Sequence, residues 1–203
     1  MPTLLIATTS EGKLREWRHL LVDLPCRLVG PRDVGIDLDV EESGETFAQN
    51  ATLKAERYGE ASRLLTLAED SGLTIAALGG APGVRSARWE GDDYVHKNRV
   101  LVRLLEGTHG PERACRYVCV VALRHPDGRL WRARGEVRGQ IATAPAGSGG
   151  FGYDPIFYVP RLGKTLAEVP EDHKHRISHR GRAAQRIRPV LLRLLQGEPA
   201  WRA

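Results

Sequence analysis

Apolar residues follow two rhythms along this chain. Short runs such as "TLLIAT" (Thr3 to Thr8), "CRLVG" and "RLLTLA" suit buried strands, while longer stretches carry apolar residues at helical spacing. In "SEGKLREWRHLLVDL" the spacing of Leu14, Trp17, Leu21 and Leu24 predicts a helix, which Ser10 or a neighbour would cap. A second helix, "TFAQNATLKAERYGEAS", opens on a capping box of Thr46 and Gln49 and carries Phe47, Ala51, Ala55, Tyr58 and Ser62 on its inner stripe. "VHKNRVLVRLLEG" predicts a third. "SHRGRAAQRIRPVLLRLLQG" predicts a last one, with Ala184, Ile187, Leu191 and Leu194 inward, a kink at Pro189 and Gly197 as its stop. "RACRYVCVVALRHPDGRLWRARGEVRGQI" reads as a long hairpin turning at Pro126-Asp127-Gly128, and "APAGSGGFGYDPIF" as a Gly-rich loop entering a strand. Alternating strands and helices with one hairpin predict an α/β fold with a mixed β-sheet. The 203 residues suit a single domain, 1–203, and show no internal repeat or low-complexity segment.

One stretch interrupts the apolar rhythm. In "AEDSGL" two carboxylates, Glu69 and Asp70, follow a strand-like run and stop at Ser71-Gly72 before "LTIAAL" resumes. The expectation is a strand ending in a turn, with alternation sending one acid toward the core and the other toward a cleft. A carboxylate so placed suits a hard divalent metal or a general base. The acidic, turn-rich segment "VGIDLDVEESGE" adds Glu41 and Glu42 just before a helix start.

Composition sharpens this picture in two places. The formal net charge is +5 and the pI about 9.4, a mild excess that suits an anionic partner. Only five of the cations are Lys (Lys13, Lys54, Lys97, Lys164 and Lys174), so each Lys is a candidate for a compact point charge in a chain that otherwise uses Arg. Three cysteines, Cys26, Cys115 and Cys119, form neither an even set nor a metal-ligand spacing and read as buried, reduced thiols. The opening "MPTLLIATTS" lacks a charged start and a long apolar run, so neither a signal peptide nor a membrane span is expected.

The remaining candidate chemistry is cationic or aromatic. Thr8, Thr9 and Ser10 precede Lys13 at a helix start, where hydroxyls, free backbone N–H groups and an ammonium make an anion cradle without the G-x-x-x-x-G-K pattern. Lys54 lies four residues after Asn50 on one helix face. Lys97 is expected to be dispensable. In "SGGFGYDP", Phe151 and Tyr153 offer rings for a base to stack on, Gly152 offers flexibility, and Asp154 offers an acceptor for base N–H groups. "HKHRISHRGR" packs three His and four Lys or Arg into ten residues, and Ser178 as a cap would put His179 and Arg180 in the first turn of the last helix.

Taken in order, "ATTSEGKLRE", "EESGETFAQNATLKA", "AEDSGL", "LGGAPGVRSAR", "GGFGYDPIF" and "ISHRG" resemble the motifs of the inosine/xanthosine triphosphate pyrophosphatase family, which clears noncanonical purine nucleotides. The resemblance runs from Leu4 to Leu195. The family's first loop usually has Asn where this chain has Ser10, and Asp is common where it has Glu69.

The resemblance implies an elongated mixed β-sheet flanked by helices, two lobes with a nucleotide cleft between them, and a cytoplasmic homodimer. It implies hydrolysis of ITP, dITP and XTP to the monophosphate and pyrophosphate with Mg²⁺ as cofactor. Asp70 would be the catalytic base and a metal contact, Glu42 the other metal-side carboxylate, and Glu69 a support for the metal site or its water. Thr8, Thr9, Ser10, Lys13, Lys54 and Ser71 would hold the triphosphate. Phe151, Asp154, Lys174, His179 and Arg180 would surround the base, and Asn50, Gly152 and Tyr153 would be further substrate-binding residues. Trp89 in "LGGAPGVRSARW" is a candidate dimer contact. No nucleic acid and no membrane is expected as partner. Two rivals remain: a related pyrophosphatase acting on pyrimidine or modified nucleotides, and a nucleic-acid-binding protein. Glu42, Glu69 and Asp70 would repel the phosphates of a nucleic acid.

Overall fold

The computed structural model describes residues 1–197. Seven strands form one open sheet in the order β2-β1-β3-β4-β5-β6-β7. They are β1 (Thr3–Ala7), β2 (Arg27–Val29), β3 (Leu65–Ile75), β4 (Ala114–Arg124), β5 (Leu130–Ile141), β6 (Phe157–Val159) and β7 (Lys164–Thr165). β1 pairs in parallel with β2 and β3, whereas β5, β6 and β7 pair antiparallel, so the sheet is mixed as the element pattern predicts. The helices are α1 (Glu11–Leu20), α2 (Phe47–Ser62), α3 (Tyr94–Leu104), α4 (Glu171–Ile177) and α5 (His179–Leu195).

The chain divides into two compact units. The first comprises Met1–Asp70, Cys119–Gly135 and residues from 181 onward; the second comprises Ser71–Val118 and Glu136–Arg180. Each unit has its own core. In the first, Leu4 and Ile6 of β1, Leu65 and Leu67 of β3 and Val121 of β4 pack with Trp17 and Leu21 and with Ala184, Ile187 and Leu191 of α5. In the second, Leu73 and Ile75 of β3, Tyr117 of β4 and Val137 of β5 pack with Leu101, Tyr153, Phe157 and Leu166.

The two carboxylates do not end a strand. β3 continues through Ser71 and Gly72 for 11 residues. Leu65, Leu67, Leu73 and Ile75 share one parity, so a single period-2 run spans the polar interruption, and Gly72 is buried within it. The predicted turn is therefore replaced by a strand that carries two acids mid-length.

Other elements differ by less. Ser10 and Thr46 cap α1 and α2, the latter in the expected capping box. On α2 the buried positions are Asn50, Ala51, Ala55, Tyr58 and Gly59, while Phe47 and Ser62 are only half-buried. The hairpin turns where expected, with the His125 N–H donating to Arg129 O at 2.9 Å. α5 runs through the exposed Pro189 to Leu195, and Gly197 follows at φ +76. Leu194 is only half-buried. The basic stretch before α5 contains a helix of its own, α4, which the sequence pattern did not announce.

Candidate active site

Alternation along β3 sends its two acids to opposite faces. Glu69 shares parity with Leu67 and meets α1, while Asp70 meets α2. Glu69 is 2 % exposed. Its Oε2 accepts from Trp17 Nε1 at 2.7 Å and from Cys119 Sγ at 3.4 Å, and its Oε1 lies 3.4 Å from Lys13 Nζ. A buried carboxylate thus tethers the ammonium of the α1 N-terminus. In the loop before it, Thr8 Oγ1 accepts from Ser10 N at 3.2 Å and Ser10 Oγ from Lys13 N at 3.5 Å. Ser10 therefore spends its short side chain on the helix cap, and Thr9 beside it is exposed.

Asp70 is 3 % exposed. Its Oδ2 accepts from Asn50 Nδ2 at 3.1 Å, and its Oδ1 lies 3.7 Å from Lys54 Nζ. The same ammonium pairs with Glu42 from the acidic loop. Asn50 is wholly buried, and its Oδ1 accepts from Gly44 N at 2.8 Å, which ties that loop to α2. Asn50 and Lys54 lie four residues apart on α2, and both are expected to bind substrate. The structure turns Asn50 toward Asp70 and Gly44, so it organises the carboxylates. Burial pushes the Asp70 carboxyl above its ordinary range; Lys54 and Lys13 oppose this, Glu42 reinforces it, and the Asn50 donor opposes it. A carboxylate so held is a stronger proton acceptor than an ordinary one, as a general base requires.

The second unit assembles a different constellation. Asp154 is 2 % exposed, and its Oδ2 accepts from Phe151 N at 2.8 Å and from Lys174 Nζ at 2.6 Å. The Lys174 ammonium lies 5.2 Å and the Arg180 guanidinium 5.6 Å from the Phe151 ring centroid. Arg180 Nη2 donates to Ser71 Oγ at 3.3 Å. His179 is buried and stacks on Tyr117. Gly150 has φ +69, and a Cβ there would come within 2.1 Å of Asp154 Oδ2, so only Gly lets the backbone pass that close to the carboxylate. Gly152 also has positive φ, and its carbonyl accepts from Asn98 Nδ2 at 3.1 Å. Tyr153, expected to offer its ring to a base, is instead packed in the second core: its hydroxyl donates to Ser86 O at 2.8 Å, and Tyr94 meets its ring edge-on at 5.1 Å. Phe151 is the aromatic of this loop that remains half-buried rather than buried.

The fourth cation singled out in sequence behaves differently. Lys97, expected to be dispensable, is wholly buried; its Nζ donates to Ala87 O at 2.6 Å and lies 4.2 Å over the Tyr94 ring. All three cysteines are buried free thiols, as expected.

An α/β fold with a mixed sheet carries these two constellations, and the chain belongs to the Ham1 family, whose model matches residues 4–190. It is 43% identical over 193 residues to the dITP/XTP pyrophosphatase of Desulforamulus reducens, covering 94% of this chain and 96% of that one. It is 45% identical over 197 residues to the dITP/XTP pyrophosphatase of Symbiobacterium thermophilum, covering 95% and 96%. Among solved structures, a HAM1 protein from Coxiella burnetii matches with a TM-score of 0.84 at 38% identity over 94% of this chain and 98% of that one. The nucleoside-triphosphatase / dITP/XTP pyrophosphatase from Mycobacterium abscessus matches with 0.74 at 35% identity, over 92% and 99%.

Proposed function

We propose that this protein hydrolyses ITP, dITP and XTP to the nucleoside monophosphate and pyrophosphate, which keeps noncanonical purines out of DNA and RNA. The observation that carries this reading is the buried Asp70 held by Asn50 and Lys54, with Glu42 on the same ammonium, in a chain that aligns over nearly its whole length with dITP/XTP pyrophosphatases.

Water attacks the α-phosphorus, Asp70 accepts its proton, and the α–β bridging bond breaks as pyrophosphate leaves. Lys13 and Lys54 neutralise the developing charge on the phosphate oxygens. The hydroxyls of Thr8, Thr9 and Ser71 and the backbone N–H groups at the start of α1 orient the triphosphate. Glu42 and Asp70 both reach the Lys54 ammonium, so their hard oxygens converge on a spot that also suits one Mg²⁺ ion. Bound there, Mg²⁺ would offset phosphate charge and draw Asp70 toward its ionised form. Glu69, with oxygens on Lys13, Trp17 and Cys119, serves the site by fixing Lys13 rather than by taking the metal.

Base choice falls to Phe151, Lys174, His179 and Arg180. Donors from Lys174, His179 and Arg180 meet the 6-oxo group of hypoxanthine or xanthine, whereas the adenine amino group would leave donor facing donor. Guanine shares the 6-oxo group, so its 2-amino group must be the part left without an acceptor. A pyrophosphate-release assay against purine and pyrimidine triphosphates, with and without Mg²⁺, tests this. ITP, dITP and XTP should be cleaved well, ATP, GTP and dTTP poorly, and chelation should stop turnover. A preference for pyrimidine nucleotides would overturn the assignment.

We further propose that it works as a homodimer in the cytoplasm. Sedimentation at micromolar concentration should then give about twice the chain mass of 22.4 kDa, and a clean monomer would exclude the dimer. Among the described residues no helix is long and apolar enough to cross a membrane.

A further inference from the structure

Three aromatic rings stand in a row in the second unit. Phe157 stacks on Tyr117 with centroids 4.7 Å apart and planes 15° from parallel, and Tyr117 stacks on His179 at 4.5 Å and 16°. Tyr117 is buried on β4, and its Oη accepts from the backbone N–H of Tyr153 at 3.1 Å. Tyr153 lies between Gly152 and Asp154, and its own hydroxyl is held by Ser86 O. One side chain therefore touches two separate pieces of the base-binding constellation: the imidazole that opens α5, and the loop that carries Phe151 and Asp154.

We infer that Tyr117 is a positioning residue for base selection, fixing the plane of His179 through its ring face and the height of the Phe151–Asp154 loop through its hydroxyl. The inference rests on the proposed activity and adds a residue that the ordered motifs do not contain. Its physical basis is that a hydrogen-bonding pocket discriminates only when its groups are held still. An imidazole free to tilt can turn its N–H away from a 6-oxo group, so that a 6-amino purine no longer meets a donor, and a loop free to shift relaxes the Asp154–Lys174 pair. Phe157 backs the stack from the far side, so Tyr117 is itself locked against a β6 residue and cannot follow His179 if that ring moves. Burial holds the Tyr117 phenol well above its ordinary pKa, so the hydroxyl stays neutral and keeps its acceptor role through the working range.

The test is the ratio of kcat/KM for ITP to that for ATP. Tyr117→Leu removes both the stacking face and the acceptor and should lower the ratio at least about tenfold, chiefly through KM for ITP. Tyr117→Phe keeps the stack and should lose only about threefold. Val137→Ala, in the same core but outside the ring stack, should lower thermal stability and leave the ratio unchanged. In NMR spectra of the free enzyme, His179 ring protons should be shifted upfield by the Tyr117 ring in wild type and in Tyr117→Phe, and should lose that shift in Tyr117→Leu. If Tyr117→Leu fails to fold, Tyr117→Phe decides alone, and a wild-type ratio in it overturns the role of the hydroxyl. A wild-type ratio in folded Tyr117→Leu, or an equal fall in Val137→Ala, overturns the inference and leaves the proposed activity standing. A wild-type enzyme that cleaves ATP as fast as ITP removes both.

Discussion

At the scale of single residues, Asp70 carries conflicting demands. Its carboxyl is buried and its pKa raised, so the folded protein binds that proton more tightly than the unfolded chain does. The stability Asp70 contributes is complete below the ordinary value of 3.8 and is lost as pH rises through the raised value. At neutral pH the ionised form is a liability. Asp70→Asn should therefore lower kcat by about 10²-fold or more. In metal-free, nucleotide-free enzyme it should also raise the melting temperature at neutral pH, by about 2–4 °C for each kcal/mol relieved. The gap should close as pH falls below 3.8. An Asn variant that melts lower than wild type at pH 7 would show that the Lys54 attraction outweighs burial. Lysines separate along the same line. Lys13→Ala and Lys54→Ala should each cost roughly 2–4 kcal/mol in kcat/KM. Lys97→Ala should instead cost about 1–3 kcal/mol of stability by removing the charged hydrogen bond to Ala87 O and the ammonium's place over the Tyr94 ring, with turnover per folded molecule intact. Equal kinetic losses at all three would undo the distinction. The scarcity of Lys in an Arg-rich chain was legible in sequence, and Lys13, Lys54 and Lys174 each pair with a buried carboxylate. That Lys97 is buried was not legible, because its partner is a backbone carbonyl ten residues away, and backbone acceptors leave no mark in composition.

At the scale of elements, what the sequence concealed is mostly long-range. The capping box of α2, the Ser10 cap and the hairpin turn are local devices, and each stands where its residues predict. The continuity of β3 was hidden because Ser-Gly beside two acids imitates turn chemistry. Only the shared parity of Leu67 and Leu73 discloses one strand, and that parity matters only when the intervening acids find partners on α1 and α2. Likewise Tyr153 looks like Phe151 in sequence, and only the Ser86 and Tyr117 contacts send it inward. The Gly-rich loop gives a paired prediction. Gly150→Ala forces a Cβ onto Asp154 Oδ2 from a left-handed backbone, so kcat/KM for ITP should fall at least about tenfold. Gly163 has φ +63 with open space around its Cβ direction, so Gly163→Ala should cost only about 1 kcal/mol of stability and no activity. Kinetics and melting curves of the two variants separate a loop held for chemistry from a turn held for its backbone angle. If both behave alike, the close approach at Gly150 has no functional weight.

At the scale of the whole molecule, the modest basic balance takes on a meaning that composition alone left open. A net charge of +5 fits a nucleic-acid ligand as well as a small anion, and the proposed function takes the second. For a triphosphate of high negative charge, a positive protein field raises the encounter rate without touching the chemical step. Added KCl screens that field over about 10 Å at 0.1 M. If encounter limits kcat/KM for ITP, raising KCl from about 0.02 to about 0.3 M should lower it several-fold while leaving kcat nearly unchanged, because in the proposed mechanism Lys13 and Lys54 act on the bound phosphates at short range. The same titration should show no salt-sensitive retention of duplex DNA at physiological ionic strength. A kcat that falls in step with kcat/KM would place the salt effect inside the site rather than in the approach to it. Tight DNA retention with no Mg²⁺-dependent hydrolysis would revive the nucleic-acid reading and displace the enzyme.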